Sequence, residues 1–334
     1  MSALWTAPLG LAALFRRRWM EVERLTYPII QLPTEMCRAD GRMWRQKPMW
    51  IALGVVAGIN ILNGLHALYP MVPQIPVRWD AAPGFDISRM LVDRPWSAAH
   101  SVRMSFYPFI IGLGLLLPTD LAFSCWFFYL LGKLECIITE AAGIRGGAAG
   151  SGFARLPLIH EQGTGAMLGL IAGAVWVARR QLREAWRQNR MDSTGFITPR
   201  AALTGFAVSV LALTTMTSVA GVPAIIALVL FVLYFVVMMA ISRVVAEAGA
   251  GWTMLGSAQS PHGLIIAALG TRGWNPRSLA SFAFMDWMDS DYRDAVPVQL
   301  LTGLKFQTEA GVPRRQMLWS VVVATGVGLV SSLW

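Results

Sequence analysis

The chain has 334 residues, of which 55% are hydrophobic and only 14% charged, and it carries a formal net charge of +9. Soluble domains carry roughly 25% charged residues, so this composition excludes water as the only solvent of the chain. The arginines lie in short segments between uncharged runs of membrane-spanning length, the pattern of basic cytoplasmic loops rather than of a nucleic-acid-binding stripe.

The first apolar run, Met1 to Phe15, is followed rather than preceded by Arg16, Arg17 and Arg18, which argues against a signal peptide and for an external N-terminus. At helical rise it covers about 22 Å, short of the roughly 30 Å hydrocarbon layer. The last apolar run, Gln316 to Trp334, is still open where the sequence stops, so the chain is expected to be a piece of a longer protein. Arg16 to Lys47 holds eight Lys or Arg and is broken by Pro28 and Pro33; it reads as a cytoplasmic stretch at the membrane surface, with Trp19, Tyr27 and Trp44 as interface anchors.

Met49 to Leu68 is a full-length span, and the loop from Arg78 to Arg103, with Asp80, Asp86 and Asp93 among four Arg, is expected outside. Met104 to Leu117 and Leu121 to Ile138 are separated by Pro118, Thr119 and Asp120, where Pro interrupts one helix and Thr or Asp starts another. Read as one kinked span, they would put the six Arg of Arg179 to Arg200 outside; read as a hairpin turning within the membrane, they put them inside. The hairpin is therefore expected, with the Gly-rich stretch 143–152 external and Gly163 to Ala178 spanning. Ala201 to Val222 and Pro223 to Ser242 form two spans hinged at Gly221 and Pro223. Residues 248–271 are uncharged up to Arg272 but interrupted by Gly249, Gly251, Gly256, Pro261, His262 and Gly263, a re-entrant pattern. A membrane-surface segment, Ser278 to Lys305, precedes the last run. The expected fold is an all-α, multi-spanning bundle, one membrane domain with at least one re-entrant or broken hairpin, whose segments 16–47, 179–200 and 243–315 are cytoplasmic.

Several polar residues stand out against this background. A carboxylate in apolar sequence costs about 2.5 to 3.5 kcal/mol on insertion scales, which singles out Asp120; with Thr119 and Ser124 it marks either a half-helix N-terminus open to a substrate or proton, or a plain N-cap at a turn. Asn60, Asn63 and His66 recur every third residue and share one face, fit for interhelical hydrogen bonds or for a cavity, and histidine as a residue type exchanges protons near neutral pH, which makes His66 a candidate for a coupling proton. Thr214, Thr215, Thr217 and Ser218 read as packing hydroxyls bonded back to their helix. Arg243 and Glu247 are four apart and pair on a helix end, structurally or as a cytoplasmic gate. Lys133, Glu135 and Glu140 form an interface cluster. Asp286, Asp289, Asp291 and Asp294 lack the EF-hand alternation and read as a solvated face. Cys37, Cys125 and Cys136 form no CxxC pair. Phosphate-loop, HExxH and GxSxG motifs are absent from the sequence. No metal, cofactor or catalytic residue is expected; the partners expected are the lipid bilayer and a small solute or peptide.

Trp19-Met20-Glu21-Val22-Glu23-Arg24-Leu25, Pro28, Gln31-Leu32-Pro33, Pro118-Thr119-Asp120-Leu121 with Ser124 and Trp126-Phe127-Phe128, Ala246-Glu247-Ala248-Gly249 and Asp291-Tyr292-Arg293 together resemble an uncharacterised bacterial family of multi-spanning membrane proteins, a domain of unknown function. That family is in turn similar to oligopeptide transporters. The resemblance runs from about Arg16 to Lys305 and implies a bacterial inner-membrane location, members longer than this chain, re-entrant hairpins and proton-coupled uptake of peptides or metal chelates. The Asn-Pro-Gly signature of the extended peptide-transporter group is absent. The expected activity is proton- or ion-coupled uptake of a peptide or small organic solute, with Asp120, Thr119, Ser124, Asn63, His66 and Glu247 as binding candidates. A membrane enzyme using Asp80, Asp86 and Asp93, or a non-catalytic scaffold, are the alternatives.

Overall fold

The computed structural model describes residues 2–38, 40–78, 85–100, 102–143, 159–188, 197–249, 260–288 and 295–332. Among them there are α-helices, short 3-10 turns and one π-helical turn, with a single isolated bridge between Asp86 and Arg103 and no strand. The chain divides into two compact units, residues 1–34 with 160–334, and residues 35–159.

In the first unit, α1 (Ser2–Arg17), α7 (Pro199–Ala220), α8 (Ala224–Ala248) and α11 (Val296–Ala310) pack around one core. The helix α8 is apolar on every side, with a mean hydropathy of 3.1 over its best window, and such a helix belongs in the middle of a bundle. Accordingly Leu230, Phe231, Phe235, Val237 and Ile241 are buried, and Phe231 and Phe235 join Ala7 of α1 and Val210 and Leu213 of α7 in the largest apolar cluster. Small residues bring α1 onto α7. A Cβ on Gly10 would lie 2.6 Å from the Ala202 carbonyl oxygen, and one turn earlier Thr6 Oγ1 meets Ser209 Oγ at 2.5 Å. Thr198 caps α7 by accepting from the Ala201 amide, and Gly221, at φ 119°, ends it before Pro223 starts α8.

Around this core lie α6 (Ile159–Gln188), α9 (Pro261–Leu269), α10 (Pro276–Ala283) and α12 (Arg314–Ser332). The helix α6 continues through Arg179, Arg180, Arg183 and Arg187 instead of ending near Ala178, because arginine is a good helix former and Arg200 donates to the carbonyls of Trp186 and Arg187 at its end. Of the re-entrant segment 248–271, residues 250–259 lie outside the described residues; the remainder is the end of α8 and the nine-residue α9, whose N-cap Ser260 accepts from the Gly263 amide. The segment Ser278 to Lys305, expected at the membrane surface, is in part core: Val298, Leu301 and Leu304 of α11 repeat at helical spacing and are buried.

In the second unit, α3 (Lys47–Leu68) and α5 (Thr119–Ala141) are long, apolar and have no buried residue. Between them, α4 (Pro108–Leu115) is only eight residues long, about 12 Å at helical rise, because residues 104–107 are not helical and Pro118 stops continuation into α5. The 3-10 turn Trp96–Ala99 packs on α5, where Lys133 Nζ donates to the Ala99 carbonyl at 2.9 Å and Arg94 lies 3.4 Å from Glu140. Among the described residues, four helices, α3, α5, α7 and α8, are long and apolar enough to cross a membrane, and the chain is a membrane protein.

Candidate functional site

The helix α1 does not end cleanly. Residues Arg18–Val22 form a π-helical turn, with the Glu23 amide donating to the Arg18 carbonyl at 2.8 Å and the Leu25 amide to the Trp19 carbonyl at 2.9 Å. Such turns concentrate at functional sites because they widen the helix and re-aim its side chains. The chain then passes through Arg24 at φ 51° and Tyr27 at φ 44°, both left-handed and neither glycine. Backbone of this kind costs on the order of 1 to 3 kcal/mol per residue and persists where surrounding contacts fix it. Here the fixing contacts are the Tyr27 amide bond to the Ala246 carbonyl, at 2.9 Å, and complete burial of the Trp19 and Tyr27 side chains. The start of the basic stretch is thus folded under the end of α8 and not laid on a surface. Trp19 and Tyr27 are core residues, because the π-turn carries the Trp19 ring inward and the left-handed residues after it reverse the chain and bring Tyr27 in beside it.

The end of α8 supplies the other half. Gly249 closes the helix at φ 60°, and a Cβ there would sit 2.9 Å from Cβ of Pro28, so only glycine permits both the turn and the close approach of the segment before α2 (Pro28–Met36). One turn back, Arg243 and Glu247 share a face.

These two halves meet in an ion-pair network. Arg243 donates from Nε to Glu247 Oε1 at 2.8 Å, its Nη2 lies 2.8 Å from the same oxygen, and its Nη1 bonds Glu23 Oε2. Arg18 Nε donates to the other oxygen of Glu23 at 2.5 Å. Glu23 is therefore shared between an arginine of its own turn and one 220 residues away. The four side chains are 15% to 37% exposed, which places the network partly out of water, where charge pairing is stronger than on an open surface. The Arg243 guanidinium also lies over the Trp19 ring, 5.6 Å from its centroid. Beneath it, Trp19 Nε1 and the Tyr27 hydroxyl are buried and have no hydrogen-bond partner among the described residues. Burial pushes the Tyr27 pKa above the ordinary phenol value, against the opposing field of Arg243, so the phenol stays protonated.

A family model matches residues 1–334 of the chain. The chain belongs to a family of unknown function (DUF6785). No curated protein and no solved structure matches it.

Of the residues the sequence singles out in this DUF6785 member, Arg243 and Glu247 stand in the network, paired as their spacing predicts. Trp19 and Glu23 lay in the quoted motif, Arg18 in the basic run before it and Tyr27 among the expected interface anchors, but spacing along the chain carries no sign that Glu23 meets Arg243. The other candidates belong to the second unit. Thr119 and Asp120 open α5 and are exposed; Ser124 donates back to the Asp120 carbonyl at 2.8 Å, while the Asp120 carboxylate has no hydrogen bond or ion pair among the described residues. Asn63 exchanges two hydrogen bonds with the backbone of Ile75, at 2.9 and 2.8 Å, and His66 Nδ1 lies 2.5 Å from the Val72 carbonyl oxygen. Both thus hold the loop that follows α3. Asp86 is enclosed by Ser88, Arg89 and Arg103, whereas Asp93 is exposed and Asp80 lies outside the described residues. Asp286 sits 3.2 Å from His262, and Asp289, Asp291 and Asp294 lie outside the described residues.

Proposed function

We propose that this membrane protein is a proton- or ion-coupled importer of a small organic solute or peptide, and that the Arg18, Glu23, Arg243 and Glu247 network is its gate. The observation that carries the reading is the sharing of Glu23 between Arg18 and Arg243. Arg243 and Glu247 stand in the last turns of an apolar helix, where an ion-pair network can close or open the end of a bundle. A carboxylate held by two arginines can exchange partners: releasing Glu23 from Arg243 leaves it paired to Arg18 and loosens one of the ties between the turn and the end of α8, beside the Tyr27 amide bond to Ala246. Asp120 suits the coupling role, since its carboxylate stands on an apolar helix with no partner among the described residues to hold its charge.

The test is uptake by the purified chain in proteoliposomes under an imposed proton gradient, offering labelled peptides and small organic acids. Solute should accumulate, Glu23→Gln should reduce accumulation, and Asp120→Asn should uncouple it from the gradient while leaving the folded helix content unchanged. No flux of any solute, or full coupled activity in Asp120→Asn, overturns the reading.

A further inference from the structure

The polar atoms beneath the network are not accounted for by a gate alone. Trp19 is 0% exposed and Tyr27 is 1% exposed, yet the indole N–H and the phenol hydroxyl find no partner among the described residues. A buried donor left unpaired costs roughly 1 to 3 kcal/mol, and two in one apolar cluster, both next to the same arginine, are a standing loss unless they serve a bound group. All available partners are of one sign. The indole can only donate, and the phenol, kept protonated by its burial, offers an O–H. Arg243 uses one N–H on each of its three nitrogens for Glu23 and Glu247, which leaves one N–H on each terminal nitrogen. The surroundings are positive as well: residues 16–27 carry four arginines against two glutamates, while Arg243 and Glu247 cancel.

We propose that Trp19, Tyr27 and Arg243 form a binding site for the carboxylate of a small organic solute. The proposal rests on the transport reading for its purpose and deepens it by naming the chemistry of the cargo. A carboxylate supplies acceptors for the indole N–H, the phenol O–H and the spare guanidinium N–H groups. A single negative charge suits a place where two glutamates already face the arginine; a doubly charged phosphate does not. The π-turn gives the arrangement its geometry, since it turns Trp19 inward beside Phe15, at a ring separation of 5.4 Å, and under Arg243. Binding also bears on the gate, because a carboxylate on Arg243 competes with Glu23 for the guanidinium.

The test uses the purified full chain in detergent, with acetate, propionate and benzoate as probes, their amides as uncharged isosteres, and inorganic phosphate as a second anion. Thermal unfolding midpoints are followed against probe concentration, because a ligand that binds only the folded state raises them. The carboxylates should raise the midpoint, and the amides and phosphate should not. Tyr27→Phe and Trp19→Phe each remove one donor and keep a ring; each should weaken carboxylate binding about tenfold, the worth of one charge-assisted hydrogen bond. Without probe, Tyr27→Phe should be as stable as the parent chain or more so, since it removes an unpaired buried hydroxyl and keeps the ring, whereas Trp19→Phe also loses packing and is read only through its probe response.

Equal response to acids and amides, a response to phosphate alone, no response to any probe, or undiminished binding in both variants overturns the site. So does a loss of probe-free stability in Tyr27→Phe, which would mean that the hydroxyl holds an internal water. Carboxylate binding with these signatures but without uptake in proteoliposomes leaves the site standing and removes the transport reading. Uptake that carboxylates do not inhibit does the reverse.

Discussion

The Tyr27 amide donates to the Ala246 carbonyl across 2.9 Å, and this bond ties the strained turn after α1 to the last turn of α8. It satisfies one of the carbonyls that a helix end leaves open and holds a left-handed tyrosine in place. Every feature of the candidate site depends on that anchor: the inward direction of the Tyr27 ring, the reach of Glu23 to Arg243, and the fit of Pro28 against Gly249.

Replacing Glu23 by Gln leaves Arg18 and Arg243 without the carboxylate they share. Thermal stability should fall by about 2 kcal/mol, a figure below that of fully buried pairs because the side chain is 21% exposed. In a cycle with Arg243→Gln, the double variant should be less destabilised than the sum of the two single variants. Additive losses, read from chemical unfolding in detergent, would show that the two residues do not act as a pair.

Alanine at Gly249 should be more damaging than a glycine-to-alanine change in an ordinary loop. It meets both the left-handed φ of 60° and a 2.9 Å approach to Pro28, so about 2 kcal/mol of stability should be lost. Arg38, in the nearby chain, should become accessible to trypsin earlier during heating if α2 detaches from α8 in this variant.

Gly10 provides a separate check on the α1 and α7 contact. A leucine there places atoms where the Ala202 carbonyl lies 2.6 Å from the first added carbon, and the helices must move apart at a cost of about 1 to 3 kcal/mol. A cysteine crosslink between positions 6 and 209, which face each other through their hydroxyls, should form readily in the parent background and slowly with Gly10→Leu.

The pH dependence of stability should carry the signature of Tyr27. Its folded-state pKa lies above the unfolded value of 10.0, so the folded state holds the proton more tightly. The resulting stabilisation is fully present below about pH 10 and is lost as the pH rises from there through the folded value. The difference in unfolding midpoint between the parent chain and Tyr27→Phe should be flat from pH 7 to about pH 9 and should then move against the parent. A constant difference up to pH 11 would contradict the burial of the phenol.

In the second unit, the Ile75 amide donates to Asn63 Oδ1 at 2.8 Å. In Asn63→Ala this amide should exchange with deuterium faster, while the amides in the middle of α3 keep their protection. Unchanged exchange at Ile75 would remove the loop-holding role of Asn63.

The all-helical membrane character was determined by the sequence alone, because span length, charge depletion and the breaks at Pro118, Gly221 and Pro223 are properties of neighbouring residues and act within a turn or two of where they stand. The pairing of Arg243 with Glu247 was equally legible, being four residues long on one helix. The rest of the candidate site was not. Glu23 reaches Arg243 only because a π-turn and two left-handed residues reverse the chain, and no period in the sequence encodes a contact between positions 220 residues apart. The same reversal converts Trp19 and Tyr27 from amphipathic surface aromatics into buried donors, and packing on α1 and α8 converts part of the 278–305 segment into core. Local chemistry thus settled which segments are helical and apolar, while the tertiary structure decided which charges meet, since burial and pairing depend on what the rest of the chain brings to the same place.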